Sequence, residues 1–162
     1  MPNILKKVTK HCSDVLAADE TFHTATFVQP AGSVGKQVAL GAIGGIAGAL
    51  VANKMAAKRQ ETDAPLGVAE DLPTDRSHVA LTNRRVLFFK HGSMSGNPKE
   101  LCAELPLDTL VDMTMEKGKL SHFMTMKFAD GSATSYDVVR GAQADDFIDG
   151  FNLLKGRAAS AN

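Results

Sequence analysis

The stretch from residue 78 to residue 139 most constrains the fold, because short β-type runs follow one another there with turn signals between them. "SHVALT" and "RVLFFKHG" are joined around Asn83, a residue type that tolerates turn geometry. "LSHFMTMKF" and "ATSYDVV" are joined by "ADGS", whose Asp-Gly pair is a hairpin signal. The stretch "ELCAELPLDTLVDMTME" predicts one or two strands, because Pro106 interrupts it. These signals predict an antiparallel meander of about six strands.

Helical patterns lie on both sides of this meander. Residues 3–18 carry apolar side chains at helical spacing, with Asn3 as the expected cap. "ETFHTATFVQP" predicts a further strand before residue 31. The apolar positions of the last helix also have helical spacing; they are Phe147, Ile148, Phe151 and Leu154. The chain is therefore predicted to be an α+β protein, an antiparallel β-barrel or sandwich closed by a carboxy-terminal helix.

Alternation along two of the strands separates methionines from threonines. The methionines should share one face and pack in the core, although an adaptable methionine surface for partners is an alternative. They are Met113, Met115, Met124 and Met126.

The segment "GKQVALGAIGGIAGALVANKMAAKRQ", residues 35–60, is the second informative feature. Val38–Ala52 is uncharged, and as a helix it would be about 22 Å long, against about 30 Å of bilayer hydrocarbon. Each of its glycines costs a helix about 1 kcal/mol relative to alanine, so a closely approaching surface must compensate. The small residues that would form a groove are Gly41, Gly44, Gly45, Gly48 and Ala52.

Three interpretations of this segment remain open: packing on a second copy or on the chain's own barrel, partial membrane insertion, and a flexible linker. We expect a packing helix that acts mainly between molecules. The flanking cations favour contact with anionic headgroups or an acidic partner. The flanking cations are Lys36, Lys54, Lys58 and Arg59. Arg84 and Arg85, at the predicted hairpin, are candidates for the same kind of contact. Strand alternation would direct Arg84 and Arg85 to opposite faces.

Charge and cysteine use exclude several classes of function. Residues 1–60 hold 7 Lys/Arg against 3 Asp/Glu, an excess too small for a nucleic-acid binder. Cys12 and Cys102 have no metal-type spacing, and the five histidines are scattered singly. "PAGSVGKQ" lacks the first glycine and the hydroxyl residue of a phosphate-binding loop. We expect no metal, no cofactor and no catalytic set. The absence of a secretory pattern predicts a cytoplasmic chain, with the inner membrane face as its alternative location.

Four stretches carry a family resemblance: "LTNRRVLFF", "ELPLDTLVDM", "MKFADGSATSYDV" and "DDFIDGFNLL". They resemble bacterial pleckstrin-homology (PH-like) and GRAM-type domains over residues 68–155, with "ETFHTATFV" as the first strand. The chain is also similar to actinobacterial proteins that share its glycine-rich insertion. The resemblance implies a PH-like barrel that binds lipid headgroups, peptides or proteins. Here the connection between the first two strands is a long glycine-rich insertion instead of a short basic loop.

The predicted organisation divides the chain into six parts. They are an amphipathic helix (1–19), the first strand (20–30), a glycine-rich helical insertion (31–62), an acidic linker (63–77), the remaining barrel and closing helix (78–157), and a tail (158–162). The expected function is a non-catalytic PH-like binding or scaffolding module that self-associates or docks on a membrane or membrane-associated complex. The alternative is a small-molecule-binding or enzymatic barrel.

Overall fold

The computed structural model describes residues 3–33 and 67–160, with side chains through residue 157. Within these residues the chain forms two α-helices and seven β-strands. The helices are α1 (Ile4–Cys12) and α2 (Ala144–Ser160). The strands are β1 (Phe22–Pro30), β2 (Ser77–Thr82), β3 (Arg85–His91), β4 (Pro98–Pro106), β5 (Leu110–Lys117), β6 (Ser121–Phe128) and β7 (Ala133–Val139).

Helix α1 begins at its predicted cap. The Oδ1 atom of Asn3 accepts a hydrogen bond of 2.9 Å from the backbone amide of Lys6, which satisfies one of the free amides of the first turn. The helix ends at Cys12, earlier than the predicted stretch to residue 19. A 3₁₀ turn at Ser13–Val15 follows it, and beyond that turn the Ala17 amide donates to the side chain of Glu20 at 3.0 Å.

The strands form one antiparallel sheet in the order β4-β3-β2-β1-β7-β6-β5. β1 joins the two halves because it pairs with β2 on one side and with β7 on the other. Pro106 ends β4 as predicted, and a 3₁₀ turn at Leu107–Thr109 leads to β5. Among the described strands, β4 and β5 do not pair with each other. The α+β class is confirmed, but the sheet is open and not a closed barrel.

The main hydrophobic core lies between one face of the sheet and α2. Three of the four methionines named above are buried in it, and Met115 packs half-buried against it, as alternation predicts. The hydroxyl of Tyr136 donates to the carbonyl of Pro73 at 2.9 Å, so this buried phenol keeps a polar partner. The largest fully buried aromatic side chains of this core are Phe88, Tyr136 and Phe147.

A second core lies on the opposite face of β1, β2 and β3, beneath α1. Its members come from α1 and from the strand positions that alternate with the main core; they are Ile4, Val8, Cys12, Ala25, Ala80, Leu87 and Phe89. The amide of Ile4 donates to Oε1 of Gln143 at 2.7 Å, which ties the start of α1 to the residue just before α2.

Part of the predicted acidic linker is bound to the fold. The Val68 amide donates to Oδ2 of Asp130 at 2.7 Å, and the Ala69 amide donates to Oγ of Ser132 at 3.2 Å. Both acceptors lie in the β6–β7 turn, where Gly131 has φ 86°, as an Asp-Gly turn requires. The chain therefore re-enters the described structure at the β6–β7 end of the sheet.

Helix α2 approaches β1 closely at Gly150, and this contact gives a prediction. A Cβ atom at Gly150 would lie 2.6 Å from Cγ2 of Thr24, a short side chain that is itself buried. We expect Gly150→Ala to lower the free energy of unfolding by about 1–3 kcal/mol, because overpacking outweighs the gain in helix propensity. Urea denaturation measures the change.

The same helix supplies a matched control for this substitution. A Cβ at Gly156 would meet no atom of the described residues within 4 Å, so Gly156→Ala should raise stability by about 0.5–1 kcal/mol. Adding Thr24→Ser to the Gly150→Ala chain removes the clashing methyl group and should recover part of the loss. A stabilised Gly150→Ala protein would show that α2 sits farther from β1 than described.

Candidate functional site

An ion-pair cluster forms where the chain preceding β1 meets the β2–β3 turn. The carboxylate of Glu20, whose side chain is 1% exposed, accepts hydrogen bonds of 2.8 Å from both Nε and Nη2 of Arg85. It also accepts from the hydroxyl of Thr82 at 2.7 Å and from the Ala17 amide at 3.0 Å. The hydrogen bonds from Arg85 lower the pKa of Glu20 to about 2, against the opposing effect of burial.

The guanidinium of Arg85 is directed towards internal partners. Besides Glu20, it donates from Nη2 to the carbonyl of Val15 at 2.8 Å and from Nη1 to the carboxylate of Glu104. The hydrogen bonds to Glu20 raise the pKa of Arg85. An external anion at this arginine would have to compete with two carboxylates, one of them buried.

Arg84 lies beside Arg85, although alternation predicts opposite faces. The difference arises because Arg84 belongs to the turn and lies outside β3, so the strand period does not apply to it. It pairs with Asp19, the neighbour of Glu20. Both arginines line an open cleft of about 420 Å³, together with Ala17, Glu20, Glu104, Leu105 and Pro106.

The remaining predicted contact residues lie outside the described residues. These are the small-residue groove at Gly41, Gly44, Gly45, Gly48 and Ala52, and the cations Lys36, Lys54, Lys58 and Arg59. The structure therefore places only Arg84 and Arg85 of the predicted sites, and it brings those two together.

A histidine pair that the sequence analysis missed lies between α1 and the sheet. The rings of His78 on β2 and His91 on β3 stack with centroids 5.2 Å apart, and Phe27 of β1 lies 5.3 Å and 4.8 Å from them. The β2–β3 register pairs His78 with Phe89, two residues from His91. If residues of β2 and β3 are paired outward from the turn at Asn83, both histidines fall on the same face of the hairpin. Spacing along a single strand does not show this, because the two histidines lie on different strands.

Burial keeps this pair uncharged at neutral pH. It lowers the pKa of His78 to about 4, with further lowering by His91 and by Lys7 of α1. Burial also lowers the pKa of His91, followed by the nearby charges of Arg76 and Lys7. Neither buried Nδ1 atom has a hydrogen-bond partner among the described residues. The pair therefore consists of two neutral imidazoles, and protonation of either one would lower the stability of the folded protein.

The two cysteines are poor nucleophiles in this setting. Burial, with the nearby charge of Asp14, raises the pKa of Cys12 to about 11, and its thiol lies 3.6 Å from the carbonyl oxygen of Lys99. Partial burial also raises the pKa of Cys102 on β4, although that residue is exposed overall.

Within residues 3–33 and 67–160, no three His, Cys, Asp or Glu side chains converge to hold a metal ion. No helix in these two ranges has the length and apolar character needed to cross a membrane. No protein-family model matches this chain, and no curated protein matches its sequence.

Proposed function

We propose that this chain is a non-catalytic binding module of the PH-like type, which self-associates through its glycine-rich segment. The order of elements supports the PH-like part of the proposal. "LTNRRVLFF" falls on β2, its turn and β3, and "MKFADGSATSYDV" falls on β6, its turn and β7. "DDFIDGFNLL" falls on α2, which packs against the main core.

The observation that carries the binding role comes from the sequence: Val38–Ala52 is a run of fifteen consecutive uncharged residues with four glycines. This run lies outside the described residues, and the proposal for it rests on its composition. An apolar stretch with four glycines gains most from a surface that approaches its backbone closely. A second copy of the chain supplies such a surface.

The use of the ionisable groups supports binding over catalysis. Glu20 and Arg85 neutralise each other inside the fold, and His78, with a pKa of about 4, carries no charge at pH 7. A general acid or base works best with a pKa near the operating pH, and these groups are held far from it. The rival, a small-molecule-binding or enzymatic barrel, would use the cleft beside Arg84 and Arg85.

Substitution of the glycines tests the proposal. We expect Gly45→Leu or Gly48→Leu to shift the full chain to a smaller species in sedimentation velocity, because a bulky side chain separates the associating surfaces. Gly156→Leu is the matched control in a described helix, because a Cβ atom at Gly156 meets no described atom within 4 Å. It should leave the mass unchanged.

The same variants show whether the glycine-rich segment binds another protein surface or a membrane. Flotation with vesicles containing anionic lipid is run beside sedimentation, because the basic residues around the segment would favour such lipid. Binding of the unmodified monomer to vesicles, lost in Gly45→Leu, would move the proposal to the inner face of the membrane. If the unmodified chain is a monomer that does not bind vesicles, and both variants match it in sedimentation and flotation, association through this segment is refuted. The cytoplasmic location belongs to the same proposal.

A further inference from the structure

The stacked imidazoles beside α1 are set where a positive charge would have no counter-ion. The rings of His78 and His91 lie 5.2 Å apart at an angle of 21°, and the ring of Phe27 contacts both. Buried polar atoms normally have a hydrogen-bond partner, yet the Nδ1 atoms of both histidines have none among the described residues. Protonation of either ring would therefore place an unpaired charge between aromatic rings.

The charged groups that face the pair are positive, as far as the described residues go. One is Lys7 of α1, and the other is Arg76, which precedes β2. The other neighbours are uncharged: the ring of Phe27 on β1 and the backbone of Gly96 in the β3–β4 loop. A proton on either imidazole would thus add a like charge to this cluster, and like charges disfavour one another.

Lys7 connects the histidine pair to α1. Its ammonium group donates to the carbonyl of Gly96 at 3.1 Å, which fastens α1 to the β3–β4 loop. A Cβ atom placed on Gly96 would lie 3.9 Å from Nζ of Lys7 and 4.0 Å from Cε1 of His91, so the ammonium group and the imidazole border the same loop residue. A charged His91 would repel Lys7 and oppose the hydrogen bond that holds α1 at this loop.

Helix α1 is separate from the main core. It has nine residues, too few for a helix that is stable on its own, so its place on the sheet depends on tertiary contacts. Those contacts are the second core, the hydrogen bond from Lys7 to Gly96, and the hydrogen bond from the Ile4 amide to Gln143. The main core lies on the other face of the sheet and contains no residue of α1. The helix can therefore open while the main core stays packed.

We propose that His78 and His91 form an acid-sensitive switch: protonation of either imidazole releases α1 from the sheet while the main core stays folded. The inference goes beyond the proposed self-association and does not rest on it. Release would give the protein an apolar surface in acid that α1 covers at neutral pH. This surface is the floor of the second core, formed by Ala25, Ala80, Leu87 and Phe89.

Two native side chains report the two events separately. Cys12 of α1 is 2% exposed, so its thiol should react only when α1 opens. Tyr136 is buried in the main core and is the one tyrosine of a chain without tryptophan, so its near-ultraviolet circular dichroism reports on that core. In the full chain with Cys102→Ser, the reaction of Cys12 with a dipyridyl disulfide is followed from pH 7 to pH 5. Each rate is divided by the rate of the urea-unfolded chain at the same pH.

We expect this ratio of rates to rise about 20-fold from pH 7 to pH 5, with the Tyr136 signal unchanged. The factor follows because an imidazole with a pKa of about 4 when α1 is closed and its ordinary 6.5 when α1 is open binds its proton more tightly in the open form. A constant ratio would overturn the proposal. Loss of Cys12 protection only together with the Tyr136 signal would also overturn it, because α1 would then open only with the whole fold.

Histidine variants assign the effect to the pair. His78→Gln should remove most of the rise, and His91→Gln, at the less buried of the two positions, should reduce it and serves as the test if His78→Gln does not fold. His11→Gln is the matched control, because it removes an exposed imidazole from α1 itself and should keep the full rise. The proposal is refuted if the variants of the pair that fold keep the full rise, or if His11→Gln abolishes it.

Discussion

Glu20→Gln is expected to lower the free energy of unfolding by about 3 kcal/mol. The substitution removes the buried carboxylate that accepts two hydrogen bonds from Arg85, and it leaves a partly buried guanidinium without that partner. Breaking one side of a buried ion pair costs about 3–5 kcal/mol, and the lower value applies because Arg85 is 25% exposed and retains Glu104. In a chain of this size the loss corresponds to a melting temperature lower by about 6–12 °C.

Glu104→Gln provides the control for this substitution at the same arginine. Glu104 pairs with Arg85 but is 50% exposed, and such pairs contribute about 0–1 kcal/mol. Chemical denaturation of both variants gives the loss of unfolding free energy in each, and it therefore compares the buried ion pair with the surface ion pair. Equal losses in the two variants would mean that Glu20 is solvated and that the chain before β1 is not anchored to the β2–β3 turn.

Acid is expected to destabilise the protein through His78 before it does so through Glu20. The folded pKa of His78, about 4, lies below its ordinary value of 6.5, so the unfolded chain binds more protons between these values. This stability is fully present above pH 6.5 and is lost as the pH falls towards 4. The loss amounts to about 2 kcal/mol at pH 5 and about 3 kcal/mol at the limit. The lowered pKa of His91 adds a loss of the same sign.

His78→Gln should flatten the dependence of stability on pH in this window, whatever the substitution costs at pH 7. Each protein is therefore compared with its own value at pH 7 in urea titrations. Below pH 4.5 both chains should lose stability together, because the folded pKa of Glu20 is about 2 and its contribution is lost as the pH falls from 4.5 towards that value. A His78→Gln profile that matches wild type between pH 6.5 and 4.5 would contradict the assignment.

Local signals were sufficient to predict most elements of the fold. Asn3, Asn83, Pro106 and the Asp130-Gly131 pair mark a cap, two strand ends and a hairpin, and each acts through the backbone preferences of its own residue type. Alternation also assigned the methionines to the core. These properties depend on neighbours within a few residues, which a sequence displays directly.

For the described residues, the sequence by itself thus determined the element order, the hairpin turns and the apolar faces. The tertiary structure decided what lies beside what: Glu20 against Arg85, 65 positions apart, His78 stacked on His91, and the open gap between β4 and β5. The physical reason is that such contacts depend on strand register and on how far the sheet curves. Register is set by many weak cross-strand contacts acting together, and no single residue type encodes it.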